Sequence, residues 1–185
     1  VSAYVGPILT TYLRRLQSDL HERRYRSDLM VMLSNGGLAA ADAAIAQPAC
    51  TLVSGPAAGV IAQLALAEAT GMRNLIGMDI GGTSTDISLV YAGAPYLRSE
   101  LELEFGTVVS YPVIDIDSIG AGGGTIAWAD EGGLLHAGPQ SAGAVPGPAC
   151  MQRGGVEPTV TDANVLLQRL NPHHLLGGRV HISQV

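Results

Sequence analysis

One short segment of the sequence concentrates residue types that could bind phosphate. An apolar run leads into an acid, a pair of glycines, three consecutive hydroxyl residues and a second acid, which are Asp79, Gly81, Gly82, Thr83, Ser84, Thr85 and Asp86. Glycines let backbone N–H groups approach an oxyanion closely, hydroxyls add donors, and an acid facing a polyphosphate can orient the waters of bound Mg²⁺. A bare Asp-x-Gly-Gly turn would favour an ordinary hairpin, but the hydroxyls and the trailing acid favour phosphate binding.

The residues around this segment have the pattern of a β-hairpin. Residues 75–80 and 85–91 are strand-like and are joined by a turn too short for a crossover, so they must be antiparallel neighbours. Further strands are predicted over 96–103 and 108–116. Upstream, the patterns alternate between helices over 5–20, 38–46 and 57–69 and short strands over 28–33 and 51–53. This order of elements predicts a mixed α/β domain.

The C-terminal part of the sequence has weaker patterns. We expect a helix near 126–128 after a run of glycines, and a loop over 130–158, which is rich in Gly and Pro. A short helix is predicted over 161–170, with Thr161 or Asp162 near its cap. Capping of the helix would by itself explain Asp162, and a contact between Asp162 and a substrate is the alternative.

Other groups that could do chemistry have simpler explanations. Asp115 and Asp117 share one face of a strand and could hold a metal, but a strand leaving the core shows the same pattern. Cys150 has no base at a suggestive spacing, so we expect a small buried thiol rather than a nucleophile. His173 and His174 are adjacent and have no suitably spaced cysteine or carboxylate, which favours ordinary loop histidines over metal ligands.

The composition excludes several mechanisms. All ten basic residues are arginines, so the chain supplies no lysine for a Walker-type phosphate loop, a Schiff base or a protein-kinase strand. The formal charge of −6 disfavours nucleic acid as a partner. Acids are interspersed among the clustered arginines, which favours a solvated helix face at Arg14, Arg15, Arg23, Arg24 and Arg26. No apolar run approaches the roughly 18 residues of a membrane span, and the use of only two cysteines predicts a cytoplasmic protein.

Six motifs in series carry a resemblance to a known family. They are SNGG at 34–37, SGPAAG at 54–59, DIGGTSTD at 79–86, IDSIGAGGGTIAW at 116–128, GPQSAGAVPGPAC at 138–150 and PTVTDAN at 158–164. With these motifs the sequence resembles the hydantoinase A/5-oxoprolinase family, which lies in the actin, sugar-kinase and heat-shock-chaperone ATPase superfamily. The family includes ATP-dependent N-methylhydantoinases, oxoprolinases and subunits of acetone carboxylase.

The resemblance implies a fold and an activity. The fold would be α/β, part of an actin-like (ribonuclease H-like) ATPase domain with a mixed sheet and an antiparallel phosphate-binding hairpin. The activity would be an ATP- and Mg-dependent hydrolase that opens hydantoin, oxoproline or related lactam rings through a phosphorylated intermediate. An unstrained amide is a weak electrophile, and phosphorylation of its oxygen would activate it. A small cyclic amide is the expected substrate, and a hydantoinase B-type subunit or domain is the expected partner.

The resemblance also assigns residues to the nucleotide. The implied set is Asp79, Gly81, Gly82, Thr83, Ser84, Thr85, Asp86, Gly122 and Gly123. The first acid would hold the metal through water, the glycines of the hairpin would present backbone N–H groups, and the hydroxyls would contact phosphate oxygens. Asp86 matches the trailing acid without a defined role. The glycines of 120–124 would lie near the nucleotide, and a purely structural turn is the alternative.

The family's first phosphate loop and its adenosine-binding segment are expected outside these residues. We therefore expect an internal fragment, in which 1–70 is a helix/strand segment with a connecting helix and 71–185 is a second-lobe segment with the phosphate hairpin. The alternatives are a non-catalytic actin-like or chaperone-type ATPase, an acetone carboxylase-type subunit that activates a ketone, and a sugar or acetate kinase. The motifs at 138–150 and 158–164 favour the hydantoinase type over the chaperone type.

We expect the 185-residue chain by itself to be inactive and to bind Mg-ATP weakly, because a second lobe would bury the rest of the ligand. Isothermal titration calorimetry should give a dissociation constant weaker than about 1 μM. A submicromolar constant would contradict both the fragment interpretation and the two-lobed site.

Overall fold

The computed structural model describes residues 1–103, 106–180 and 182–183. Its helices are α1 (Ser2–Glu22), α2 (Ala41–Ala46), α3 (Ser54–Thr70) and α4 (Val160–Leu166). Its strands are β1 (Met30–Met32), β2 (Leu38–Ala40), β3 (Leu75–Ile80), β4 (Thr85–Tyr91), β5 (Ala94–Pro95), β6 (Leu97–Arg98), β7 (Leu101–Glu102), β8 (Val108–Val109), β9 (Val113–Ile114), β10 (Ile116–Ile119), β11 (Thr125–Ala129) and β12 (Leu135–Ser141). Short 3₁₀ segments span Pro48–Thr51, Ala149–Met151 and Leu176–Gly178. The predicted mixed α/β class is confirmed, and none of the described helices has both the length and the apolar character needed to cross a membrane.

By contact, the described residues form two compact units. The first comprises Val1–Gly77 and Ser88–Ile116, and the second comprises Met78–Ile87 and the residues from Asp117 onward. The division of the sequence between residues 70 and 71 follows its motifs and stays a prediction. The turn between β3 and β4, the glycines of 120–124 and α4 all belong to the second unit.

Two apolar clusters hold the first unit together. One joins α1 to α2 around the buried Leu13. The other joins α3 to β4 and β9 through Val60, Val90 and Ile114. Helix α3 ends at Gly71, whose φ of 72° lies in the left-handed region that a helix stop favours. The clustered arginines of the N-terminal segment are all exposed, as predicted, but only Arg14 and Arg15 lie on a helix, because α1 ends at Glu22 before the other three.

The predicted hairpin of β3 and β4 is present. It belongs to a four-stranded sheet in the order β10–β4–β3, with β5 paired antiparallel to β4. The other strand pairs in the described residues, β1–β2, β6–β9, β7–β8 and β11–β12, are antiparallel. The long strands predicted over 96–103 and 108–116 are broken into the short strands β6 to β10.

Two predictions in the first unit are wrong because a strand pairing and a buried hydroxyl decide the local structure. Residues 38–46 do not start as a helix, because 38–40 form β2 and pair with β1, which leaves only α2 helical. Residues 51–53 are not a strand. The Ser34 hydroxyl donates to the carbonyl of Cys50 at 2.7 Å and accepts from the Val53 N–H at 3.3 Å, and these bonds hold a 3₁₀ turn that leads into α3.

The helix predicted near 126–128 and the loop predicted over 130–158 are also wrong. Residues 126–128 lie in β11, which pairs with β12 inside the expected loop. The β-branched and aromatic residues of β11 favour a strand over a helix. Trp128 lies opposite His136 across the two strands, and their ring centroids are 4.6 Å apart.

Helix α4 begins with a capping box. The Thr159 hydroxyl accepts from the Asp162 N–H at 3.3 Å, and the Asp162 carboxylate accepts from the Thr159 N–H at 2.7 Å. The second carboxylate oxygen accepts from the Cys150 N–H at 2.7 Å. The predicted capping role of Asp162 is therefore confirmed, and its carboxylate also ties α4 to the preceding 3₁₀ segment.

Cys150 lies in the apolar cluster of the second unit. It is 1% exposed and packs with Val165 and Ile182. Burial, and secondly the neighbouring Asp162 carboxylate, raise the pKa of the Cys150 thiol to about 12. The thiol is therefore protonated at neutral pH, and the prediction of a small buried thiol is confirmed.

The contacts of Asp162 predict a pH-dependent contribution to stability. Burial acts to raise the pKa of Asp162, but the hydrogen bonds from Cys150 and Thr159 together lower it. A lowered pKa means that the stabilisation is present above the unfolded pKa of about 3.9 and is lost as the pH falls through the folded pKa. We expect Asp162→Asn to lower the free energy of unfolding at pH 7 by about 1–3 kcal/mol and to lose this acid-sensitive contribution.

Urea unfolding between pH 7 and pH 3 measures both effects. Asp28→Asn is the control, because Asp28 is exposed and makes no hydrogen bond or ion pair within the described residues. Matching unfolding curves for the two variants would contradict the role given to the Asp162 carboxylate.

Candidate functional site

The turn between β3 and β4 is the candidate phosphate site. The Gly81 N–H donates to the Ser84 carbonyl at 2.9 Å and closes the turn. Gly82 and Thr83 are exposed and Ser84 is half-buried. In the part of the chain that the structure describes, the backbone N–H groups of Gly82, Thr83 and Ser84 donate to no acceptor. Three consecutive N–H groups are thus available to an anion.

A glycine loop, defined here as residues 120–124, packs against this turn. The Gly123 N–H donates to the Gly81 carbonyl at 2.9 Å, and the Gly124 N–H donates to the Gly82 carbonyl at 2.6 Å. A Cβ atom on Gly122 would lie 2.8 Å from the Gly81 oxygen and from backbone atoms of Thr83. Only glycine at position 122 therefore allows this approach, since contacts so short would force the turn or the loop to move.

The glycine loop is held in turn by two further segments. The Thr161 N–H and hydroxyl both donate to the Gly123 carbonyl, at 2.7 and 2.8 Å. The Ala142 N–H donates to the Gly124 carbonyl at 2.8 Å. The start of α4 and the residue after β12 thereby fix the glycine loop, which fixes the turn.

Some side chains of the predicted site are free to bind a ligand, and others are hydrogen-bonded within the protein. Asp79 is exposed, and among the described residues its carboxylate forms no hydrogen bond or ion pair. The hydroxyls of Thr83 and Ser84 are likewise without partners in the described chain. The buried Thr85 instead donates its hydroxyl to the Ala121 carbonyl, and Asp86 accepts from the Ser118 hydroxyl.

The nine predicted nucleotide-site residues all lie in the second unit, on the turn, on the adjoining ends of β3 and β4, or on the glycine loop. Their contacts with a nucleotide stay a prediction. The N–H groups of Gly81 and Gly123 are already used within the protein, and the Gly122 N–H donates to the Thr125 hydroxyl at 2.8 Å. In this structure these glycines build the support beneath the turn.

The protein groups at the turn fit a metal that is held mainly by water and phosphate rather than by several protein ligands. No group of three or more His, Cys, Asp or Glu side chains that could ligate a metal occurs among the described residues. A single exposed carboxylate, Asp79, beside free N–H groups matches the way Mg²⁺ is bound with phosphates, through few protein ligands and several waters. Asp115, one of the two acids of the alternative metal site, pairs with Arg98 at 2.5 Å.

A second polar cluster lies on the β11–β12 hairpin and was not predicted. The Asp130 carboxylate lies 2.7 Å from His136 Nε2, and this hydrogen bond, with those from the backbone, lowers the pKa of Asp130. His136 stacks on Trp128, whose indole N–H donates to the Gly138 carbonyl at 2.8 Å. The pairing could not be read from the sequence, because β12 was expected to be a loop.

A cavity beside the phosphate turn is the other feature that sequence reasoning missed. Its volume is about 290 Å³, and Gly82 of the turn forms part of its wall. Apolar side chains, including Met151, Leu175 and Val180, form most of the remainder. Arg153 is the charged residue among those that line it. We call it the turn-side cavity.

Comparison with known proteins agrees with these features. The family model described as hydantoinase/oxoprolinase matches residues 1–184. The caprolactamase alpha subunit of Pseudomonas jessenii is 39% identical over 184 residues, which cover 100% of this chain and 26% of that subunit. The 5-oxoprolinase 1 of Arabidopsis thaliana is 37% identical over 94% of this chain and 13% of its own length.

Among solved structures, the nucleotide-free structure of acetone carboxylase, determined for the mechanism of ATP-dependent acetone carboxylation, has a TM-score of 0.77. It is 33% identical over 93% of this chain and 24% of its own. The chain thus spans about a quarter of the length of the caprolactamase subunit and of the acetone carboxylase chain. The resemblance carried by the six motifs is confirmed by the family model, which matches almost every residue: the chain belongs to the hydantoinase/oxoprolinase family.

Proposed function

We propose that the chain is part of an ATP-dependent amidohydrolase that opens a small cyclic amide, and that the turn between β3 and β4 binds phosphate groups of ATP. The observation that carries this proposal is the row of three free N–H groups at Gly82, Thr83 and Ser84, in a turn that follows the strand carrying the unpaired carboxylate of Asp79. The β3–β4 hairpin within a mixed α/β fold supports its placement in an actin-like ATPase domain.

The turn suits a charged ligand because its donors are fixed before the ligand binds. The carbonyls of Gly81 and Gly82 are held by the glycine loop, and the N–H groups of Gly82, Thr83 and Ser84 have no internal bond that phosphate binding would break. Donors held in place in this way stabilise developing charge without reorganisation. The hydroxyls of Thr83 and Ser84 add donors, whereas Thr85, Gly122 and Gly123 act as supports of the turn.

The acids differ in the roles that we assign. Asp79 would hold Mg²⁺ through water, and the metal would neutralise charge on the phosphates. Asp86 is bonded to Ser118 and orients the start of β4. Nothing in the proposed reaction requires a thiolate, in keeping with the raised pKa of Cys150.

The chemistry follows from the low reactivity of amides. The amide oxygen attacks the terminal phosphorus of ATP, the bond to ADP breaks, and the amide nitrogen loses its proton to leave an imidate phosphate. Water adds to the carbon, and the C–N bond breaks as the nitrogen regains a proton, which leaves an acyl phosphate. A second water releases phosphate and the ring-opened amino acid. The names of the caprolactamase and 5-oxoprolinase relatives support an amide as substrate.

A second candidate function is activation of a ketone for carboxylation. The TM-score of 0.77 to acetone carboxylase favours this alternative. Both reactions begin with phosphorylation of a carbonyl-type oxygen and use the same turn. ATP turnover by the full-length enzyme with a cyclic amide, compared with acetone and bicarbonate, separates them. A further subunit of hydantoinase B type is part of either proposal, as the word subunit in the caprolactamase name supports.

Asp79→Asn in the full-length enzyme tests the proposed site directly. The amide keeps the side-chain volume and removes the charge that orients the metal's waters. We expect ATP turnover to fall by at least about tenfold, equivalent to about 1.4 kcal/mol of barrier. Glu131→Gln is the matched control, because Glu131 is also an exposed acid of the second unit and has no partner within the described residues. Equal turnover in the two folded variants would make the turn structural.

Gly122→Ala tests whether the glycine loop positions the turn. The added methyl group would lie 2.8 Å from turn backbone, so the turn must shift, and we expect affinity for Mg-ATP to fall by at least about tenfold, the effect of losing one or two charge-assisted hydrogen bonds. Gly120→Ala is the control, since a Cβ there meets no atom within 4 Å. Calorimetry on the full-length enzyme measures both. Unchanged affinity in folded Gly122→Ala would show that the turn does not depend on this contact.

A further inference from the structure

The turn-side cavity joins the phosphate turn to an apolar wall. Gly82, which carries one of the free N–H groups, and Thr161, which holds the glycine loop, both line it. The 3₁₀ segment Leu176–Gly178 and its neighbours contribute apolar side chains to the same cavity, among them Leu176. Its volume of about 290 Å³ is near the lower end of the range for small-molecule sites.

Arg153 is placed where an anion would need a partner. It lines the cavity, and within the described residues it forms neither an ion pair nor a hydrogen bond. Arg14 and Arg98, by contrast, are paired with Asp42 and Asp115. A guanidinium group can bind two oxygens of a phosphoryl group at once, which gives both charge and orientation.

We propose that the turn-side cavity is the acceptor pocket, in which the apolar wall binds the hydrocarbon part of the amide and Arg153 binds the phosphoryl group during its transfer. This inference rests on the proposed function. The phosphoryl group leaves the oxygen of ADP and bonds to the amide oxygen, so its three remaining oxygens carry charge throughout the step. The N–H groups of the turn and the Arg153 guanidinium would contact these oxygens together, and the apolar wall would exclude water until the amide is phosphorylated.

Binding of inorganic phosphate tests the role of Arg153 without a known substrate. In the full-length enzyme with Mg-ADP bound, we expect Arg153→Gln to weaken phosphate binding by at least about tenfold, while the affinity for Mg-ADP changes by less than about threefold. Arg153→Lys keeps the charge and should lie between the wild type and Arg153→Gln. Arg169→Gln is the control, because Arg169 is exposed, unpaired in the described chain and outside the cavity.

The outcomes separate the inference from the proposed function. Equal phosphate affinity in Arg153→Gln and Arg169→Gln, with Mg-ADP still bound, overturns the role of Arg153 and leaves the phosphate turn intact. Equal phosphate affinity in the two variants is also the result expected if Arg153 binds a carboxylate of the substrate rather than the phosphoryl group. Failure of the wild-type full-length enzyme to bind Mg-ADP overturns the proposed function and the inference with it.

A pair of matched leucine variants tests the cavity itself. Leu176 lines the cavity and is 72% exposed, whereas Leu135 on β12 is 74% exposed and lies outside it. We expect Leu176→Trp to raise KM for the amide by at least about tenfold with little change in Mg-ADP affinity, as filling an apolar pocket predicts, and Leu135→Trp to leave KM unchanged. An unchanged KM in folded Leu176→Trp overturns the acceptor pocket. This holds also where the variant disturbs subunit assembly, because another segment of the enzyme would then cover the cavity.

Discussion

The candidate site depends on the close approach of two backbone segments. The N–H groups of Gly123 and Gly124 reach the carbonyls of Gly81 and Gly82 because positions 122 and 124 carry no side chain. Backbone hydrogen bonds of this kind satisfy polar groups that would otherwise require water. In the turn, the carbonyls of Gly81 and Gly82 are thereby used, whereas three of its N–H groups are left for a ligand.

Support for the turn extends through successive layers of the second unit. Thr161 holds the carbonyl of Gly123, and the capping box places Thr161 at the start of α4. Asp162 of the same box binds the Cys150 N–H. Groups that look chemically reactive in isolation, a carboxylate and a thiol, therefore stabilise the framework. The groups left for chemistry are the free N–H groups, two hydroxyls and a single acid at the exposed turn.

The glycine-rich motif at 79–86 depends on other motifs of the family for its structure. The motif at 79–86 supplies donors, and the motif at 116–128 supplies the surface on which those donors are fixed. The motifs at 138–150 and 158–164 provide the residues that hold the second motif in place, through Ala142 and Thr161. Four motifs that are separated in sequence thus form one layered structure within the second unit.

The sequence by itself determined the features that rest on neighbouring residues. The β3–β4 hairpin, the end of α3 and the capping role of Asp162 could all be predicted, because strand alternation, turn glycines and capping residues act over a few positions. Membership of the family could be predicted from its six motifs. The phosphate turn could be located for the same reason, since its donors are consecutive.

Only the tertiary structure decided which groups of the site are free. The hydroxyl of Thr85 and the N–H of Gly123 match the residue types of a nucleotide site, yet partners far along the chain engage both. The placement of Arg153 at the turn-side cavity has the same origin. Strand β12 pairs with its neighbour β11 and was predicted as loop because it contains Gly138 and Pro139, which are typical of loops. Pairings between distant segments leave no periodic pattern in the sequence, because their energy comes from the approach of two backbones rather than from the propensity of either one.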